Sequence, residues 1–322
     1  MTDQSLAAAS DLGVWATMAA LVLAMLAFAV HLAVHNTDRT DQTDRVEEAE
    51  ATRSGGAAVI TATVAPAVGG PAQRRWGVLG LQLTILATLL LVAATALRGL
   101  SVQRAPLGNM YEFALAACSF ALLIYSGWSL RRDRLWLGLF VVTPVLLILG
   151  AARLAWYTEA SQLLPSLNSI WLVIHVTVAT LTVGLFIVGF ATACLYLLRE
   201  RAERAAGGVE VSGWRSALPG AAALERLTYG VHVVAFPLWT FTLVAGAIWA
   251  EQAWGRYWGW DPKEVWTFVI FTVYAAYLHA RATTGMTTRR ATWIAVAGFG
   301  CVIVNYAVVN IFFVGFHSYS GV

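Results

Sequence analysis

Three tryptophans and an aspartate crowd the run Trp254-Gly255-Arg256-Tyr257-Trp258-Gly259-Trp260-Asp261-Pro262-Lys263-Glu264. Aromatic faces at this density can stack on a flat ligand. Gly255 and Gly259 let the backbone bend and approach such a ligand closely. Asp261 precedes a proline and is confined to extended or turn conformations, so the loop is expected to end there and a helix to start at Lys263. The competing reading is interfacial anchoring, because Trp and Tyr collect at the headgroup layer of membranes. The close spacing of the rings and the polar residues between them favour a ligand platform made by Trp254, Trp258 and Trp260 and closed by Asp261.

The six histidines supply the second set of groups. His175 lies about 10 Å into an apolar segment, counted from Asn168 at ~1.5 Å per residue. His317 follows the last apolar segment, in Gly315-Phe316-His317-Ser318-Tyr319. Two neutral imidazoles across an aromatic platform suit axial ligation of haem iron, and ionisable residues at membrane depth are functional candidates by default. A lone histidine in an apolar helix is more often a hydrogen-bonded packing residue; the convergence of His175 and His317 on the tryptophan-rich run is what favours ligation. His279 lies about 24 Å from Lys263 along its helix, with the small residues Ala275, Ala276 and Thr272 nearby. His232 reaches a comparable depth beside the bulkier Tyr229 and Phe236. Interfacial placement competes for both, more strongly for His232. His31 and His35, at the end of the first apolar segment, read as structural.

These groups need elements to hold them. The chain is 59% hydrophobic and only 12% charged, which marks an integral membrane protein and excludes an ordinary soluble enzyme. A hydrocarbon core about 30 Å thick asks for roughly 20 apolar residues per helix. Eight segments meet or approach that length: Val14 to Val34, Trp76 to Leu97, Tyr111 to Leu130, Leu135 to Ala152, Ile170 to Leu198, Leu224 to Ala250, Val265 to His279 and Ala291 to Phe316. The seventh is short unless it extends to Lys263. The expected fold is therefore all-α, a polytopic membrane protein with about eight transmembrane helices, since lipid leaves an open chain no other way to satisfy its backbone.

Basic residues alternate from loop to loop. Arg39, Arg45, Arg53, Arg74 and Arg75 lie between the first two helices; Arg131, Arg132 and Arg134 follow the third; Arg199, Arg201, Arg204 and Arg215 follow the fifth; Arg281, Arg289 and Arg290 follow the seventh. The intervening loops hold Arg98, Arg104, Arg153 and Arg256, with Lys263 at an edge. The positive-inside rule places both termini and the tryptophan-rich loop outside. Asp3 and Asp11, with no basic residue before the first apolar run, argue against a signal peptide. Residues 1–35 then form an N-terminal transmembrane helix, 36–75 a flexible cytoplasmic linker too poor in large apolar residues to fold alone, and 76–322 the membrane domain that carries the loop at 254–264. The stretch from Arg201 to Gly220 is similar in character to the linker.

Several classes of function drop out. No Walker loop or dinucleotide fingerprint is present, and no nucleic-acid partner is expected. Cys118, Cys194 and Cys301 show no Cys-x-x-Cys spacing, which argues against a thiol–disulfide oxidoreductase.

The run from Gly246-Ala247-Ile248-Trp249-Ala250 through Lys263-Glu264-Val265-Trp266 to His279-Ala280-Arg281 resembles the CcsA/ResC family of System II cytochrome c biogenesis. So do Trp171-Leu172-Val173-Ile174-His175-Val176, Asn109-Met110-Tyr111-Glu112 and the terminal Gly315-Phe316-His317-Ser318-Tyr319. The resemblance covers the chain from the second helix onward. It implies movement of haem b across the membrane and its presentation to the Cys-x-x-Cys-His motif of an apocytochrome c for thioether formation, within a cytochrome c synthase complex. It implies His175 and His317 as external axial ligands, with the haem-binding signature at Trp254, Trp258, Trp260 and Asp261 between them. It also implies His279 as one ligand of an inner loading site whose opposing ligand comes from a CcsB/ResB-type membrane partner. A bacterial plasma membrane is the expected location, ahead of a thylakoid.

Two other readings compete. A CcmC-like exporter would hand haem to a chaperone without making the thioether bond. A b-type electron-transfer cytochrome would keep its haem, but such proteins pair ligands across helices within the membrane. A general solute transporter would call for polar midplane residues and broken helices, which the central spans offer little of. Glu112 reads as an acid favoured by a helix N-terminus.

Overall fold

The computed structural model describes residues 2–53, 71–163, 168–283 and 285–317, with the side chains of 35–53, 71 and 72 outside the description. Among these residues every regular element is helical. Helix α1 spans Gln4–Arg53, α2 Pro71–Val102, α3 Met110–Arg131, α4 Gly138–Ala155, α5 Ile170–Ala206, α6 Ala221–Trp254 and α7 Pro262–Ala282. Helix α8, Thr288–Phe312, includes a π-helical turn over Val304–Val308.

All eight expected segments are helical, the eighth ending at Phe312 rather than at the expected Phe316. Seven are long and apolar enough to cross a membrane. The exception, α7, has 21 residues, about 31 Å at 1.5 Å per residue. Its length suits a bilayer, while Lys263, Glu264 and Arg281 near its ends lower its apolarity. The outer surface of the bundle agrees: Leu86, Leu89, Leu123, Val234 and Phe268 are all exposed, too much apolar surface to face water at once. The molecule is a polytopic all-α membrane protein.

Helices α1 and α2 pack along their length, as do α5 and α6; α3 lies against α2, α4 and α5, and α8 closes the bundle on α5 and α7. Without a hydrophobic drive between helices in lipid, close backbone approach must supply the attraction, and small residues permit it. A side chain at Gly184 of α5 would meet the Ala121 backbone nitrogen of α3 at 2.9 Å. The same logic applies at the aromatic centre, where Phe186 stacks on Tyr274 with centroids 4.1 Å apart and a side chain at Gly298 of α8 would meet the tyrosine ring at 2.9 Å.

Helix α1 continues as a helix to Arg53 and α2 begins at Pro71, so both ends of the expected 36–75 linker are helical; residues 54–70 lie outside those described. Helix α5 likewise runs to Ala206 and stops at Gly207 in the left-handed conformation, φ 57°. A 3₁₀ turn over Gly213–Ala217 follows.

Candidate functional site

One end of the bundle holds a cavity of about 380 Å³, ringed by α3 to α8 and by the loop after α6. That volume lies within the ~300–1,000 Å³ typical of small-molecule sites. His175, His317, Trp254, Trp258 and Lys263 all line it, although they are up to 142 positions apart in sequence (317 − 175).

Helix α5 carries His175 onto Gly246 of α6. A side chain at Gly246 would meet the imidazole at 2.7 Å, so glycine is what lets the ring lie against the α6 backbone. The His175 Nδ1 is 2.9 Å from the Thr242 carbonyl oxygen. A carbonyl only accepts, so Nδ1 carries the proton and Nε2 carries the lone pair. His317 reaches the same tautomer by another route. Its Nδ1 lies 2.9 Å from Asp261 Oδ1, and an ionised carboxylate also only accepts. Burial works to raise the Asp261 carboxyl, but His317 and the backbone N–H groups of Lys263 and Phe316 outweigh it and hold the group below the usual carboxylate range.

Asp261 thus has two roles. As N-cap of α7 it accepts from the Lys263 backbone N–H at 3.0 Å, while Glu264 Oε2 accepts from the Asp261 N–H at 3.0 Å, completing a capping box. It also ties down the chain after α8, accepting the Phe316 N–H at 2.6 Å on Oδ2 as well as His317 on Oδ1. The helix begins at Pro262, one residue earlier than the sequence suggested, because proline at the first helical position forfeits no hydrogen bond. The loop itself is held by Glu264, which accepts the Gly259 N–H at 2.8 Å and pairs with Arg256 at 3.2 Å. Gly255 ends α6 at φ 69°, a conformation that glycine adopts without steric cost.

The tryptophans divide. Trp254 lies edge-on to His317 at 5.0 Å between centroids, and Trp258 lines the cavity. Trp260 is 74% exposed, is not part of the cavity wall, and touches the site through its edge contact with Trp258 at 5.8 Å. Its left-handed backbone, φ 59°, costs a non-glycine residue energy and turns the ring away just before the cap at Asp261.

Several lining residues escaped the sequence reading. Trp249, almost fully buried, lies parallel to His175 at 6.1 Å and contacts His317 at 6.0 Å, so one ring buttresses both imidazoles. Its position five residues before Trp254 was a usable signal. Trp239, whose indole N–H donates to the Thr267 carbonyl at 3.1 Å, and Asn305 and Asn310, five residues apart in the last apolar helix, belong to none of the motifs singled out.

Glu112 proves to be more than a helix-dipole residue. Asn109 is the N-cap of α3, and the Glu112 carboxylate is fully buried. It accepts from Arg98 at 3.0 Å, from Arg104 at 2.8 Å and from the Gly108 N–H at 2.7 Å. Arg98 also donates to the Thr158 carbonyl and Arg104 to that of Ser161. The cluster binds the end of α2, the start of α3 and the segment after α4, and so supports the wall made by Asn109, Met110 and Trp156.

The remaining histidines stay apart. His279 is exposed near the far end of α7 and takes no part in the cavity. His232 is buried under Gly189, with Nδ1 on the Thr228 carbonyl at 2.7 Å and rings of Tyr274 and Tyr277 about it. The His31 Nδ1 lies 2.8 Å from the Gln73 carbonyl oxygen, pinning α1 to α2. The His35 side chain lies outside the described residues.

Residues 77–317 match the family described as Cytochrome C assembly protein. The Cytochrome c biogenesis protein CcsA of Guillardia theta is 33% identical over 253 residues, covering 74% of this chain and 84% of that one. Its namesake from Prochlorococcus marinus (strain MIT 9303) is 34% identical over 267 residues, covering 74% and 83%. Among solved structures, Cytochrome c Heme Lyase CcmF aligns with a TM-score of 0.62 over 95% of this chain, at 17% identity. The chain spans 47% of that protein's length, and the likeness bears on the fold alone. The matched region runs from the start of α2 to His317 and takes in both cavity histidines and the loop between α6 and α7, and the chain belongs to the cytochrome c assembly protein family as a CcsA-type member.

Proposed function

We propose that this chain carries haem b to the outer membrane face and presents it there to the Cys-x-x-Cys-His motif of an apocytochrome c, as the haem-handling subunit of a cytochrome c synthase. Membership of the family supports the coarser role, cytochrome c biogenesis in a multi-pass membrane setting. The observation that carries the finer reading is the matched state of His175 and His317. Each gives its Nδ1 proton to a fixed acceptor, which leaves Nε2 as the nitrogen able to ligate iron. Haem is cargo in this reading. Thr242 and Asp261 orient the two imidazoles, Trp249, Trp254 and Trp258 exclude water and offer aromatic faces, and the open end admits the apocytochrome segment.

His279 belongs in this proposal to a separate inner site, completed by a CcsB/ResB-type partner. Its exposure on α7 leaves it accessible to a second membrane chain. Both termini, the cavity and the tryptophan-rich loop face outward, in keeping with the arginine bias of the opposite loops.

Replacing His175 or His317 with glycine tests the reading. Each variant is expected to abolish cytochrome c maturation, and added imidazole is expected to restore part of it by filling the vacant coordination position. Normal maturation by both variants would remove the ligand assignment.

A further inference from the structure

The cavity wall is almost wholly apolar, yet Lys263 is part of it. Its ammonium donates to the Asn305 carbonyl at 3.0 Å and to Asn310 Oδ1 at 2.8 Å. Both partners are neutral. An ammonium has three N–H donors, and no carboxylate forms an ion pair with Lys263 among the described residues. The acids nearby are already engaged: Glu264 with Arg256 and two backbone N–H groups, Asp261 with His317 and two more. The charges of Arg256 and Lys263 balance those of Glu264 and Asp261 in number, yet neither carboxylate is hydrogen-bonded to the Lys263 ammonium, which keeps one N–H donor at the cavity wall.

A second observation points to the same place. Asn305, 94% buried as the complement of its 6% exposure, also lines the cavity, and its Oδ1 has no hydrogen-bond partner among the described residues. It sits in the π turn of α8, a distortion that recurs at functional sites. A buried amide oxygen left unmatched beside an ammonium with a spare donor is costly in an apolar chamber. A ligand carrying a carboxylate would take the spare ammonium donor, and a water donating to both that carboxylate and the Asn305 amide oxygen would complete the match.

We infer that Lys263 is the anchor for one carboxylate of the cavity's ligand, with Asn305 and Asn310 holding the ammonium in place. Given the haem reading on which this rests, that carboxylate is a propionate. The anchor selects for the free acid and sets which edge of the macrocycle enters between α7 and α8. The competing role for Lys263 is purely structural, as a clasp on the Asn305 carbonyl.

The experiment is a titration of the purified full chain, in detergent, with haem and with haem dimethyl ester, in which the carboxylates are masked. The absorption spectrum reads occupancy and ligation. The wild type is expected to bind haem about tenfold more tightly than the ester, the size of one charge-assisted hydrogen bond. Lys263→Met is expected to bind the two alike, with ester affinity unchanged, and Lys263→Arg to keep a preference for the free acid. Should Lys263→Met fail to fold, Lys263→Gln serves in its place, because its amide N–H groups keep the clasp on Asn305 while the charge is gone. Equal binding of haem and ester by the wild type, or an undiminished preference in the uncharged variants, overturns the anchor alone. Absence of axially ligated haem in the wild type overturns both the anchor and the haem reading beneath it.

Discussion

At the scale of single residues, placement separates side chains that look equivalent in the sequence. Trp254, Trp258 and Trp260 share one motif, but only the first two line the cavity. An aromatic stacking contact contributes about 0.5–1.5 kcal/mol beyond area burial. Trp254→Ala and Trp258→Ala are therefore expected to lower haem occupancy of the outer site about fivefold, whereas Trp260→Ala changes it less than twofold. Haem titration of the three variants in parallel checks this, and equal losses at all three positions would mean that Trp260 reaches the ligand. Asp261 shows the opposite economy: one carboxylate starts α7, holds the chain after α8 and fixes the tautomer of His317. A side chain at Gly315 would run into that carboxylate, so the terminal segment can dock only with glycine there.

At the scale of elements, two ionic clusters, one half-buried and one buried, hold parts of the cavity wall. Arg256 and Glu264 brace the loop between α6 and α7, while Arg98, Arg104 and Glu112 join α2, α3 and the segment after α4. Removing one member of a buried ion pair costs roughly 3–5 kcal/mol, because it strands the other charge. Glu112→Gln leaves two guanidinium groups without their carboxylate and is expected to lower thermal stability in detergent by about that amount, with loss of haem occupancy following from the collapsed wall. The combined Arg98→Met, Arg104→Met and Glu112→Leu chain is expected to recover much of the stability. Thermal unfolding of both chains decides the matter, and an unaffected Glu112→Gln protein would show the cluster to be dispensable.

At the scale of the whole molecule, the cavity and His279 lie near opposite ends of α7, about 24 Å apart from Lys263 to His279 at 1.5 Å per residue. A ligand loaded at one end and delivered at the other must cross most of the membrane. If loading precedes delivery, His279→Ala, produced with the partner, is expected to give an inserted, folded protein empty at both sites. Loss of His175 and His317 is expected to leave haem inside with none delivered. Spectra of the purified complexes distinguish the two, and a His279→Ala chain that still matures cytochrome c would end the two-site relay. Nothing in the cavity wall requires His232, which is packed among aromatic rings away from it.

The sequence by itself determined the class and the cast. Apolar run length decides helix count, because a bilayer tolerates little else from an open chain, and all eight expected segments are helical. The aromatic loop, the capping Asp-Pro and the histidines were legible because polar and aromatic groups stand out against an apolar background. Boundaries were less so: α1 and α5 run on past their apolar stretches, since a charged helix in water needs no hydropathy signal. Only the tertiary structure decided which side chains share a chamber. That depends on helix rotation and close approach, on glycines such as Gly246 that let one ring lie on a neighbouring helix, and on partners far apart in sequence. Lys263 and Asn305 read as unremarkable residues 42 positions apart; their meeting at the cavity wall follows from α7 packing on α8, which no local pattern encodes.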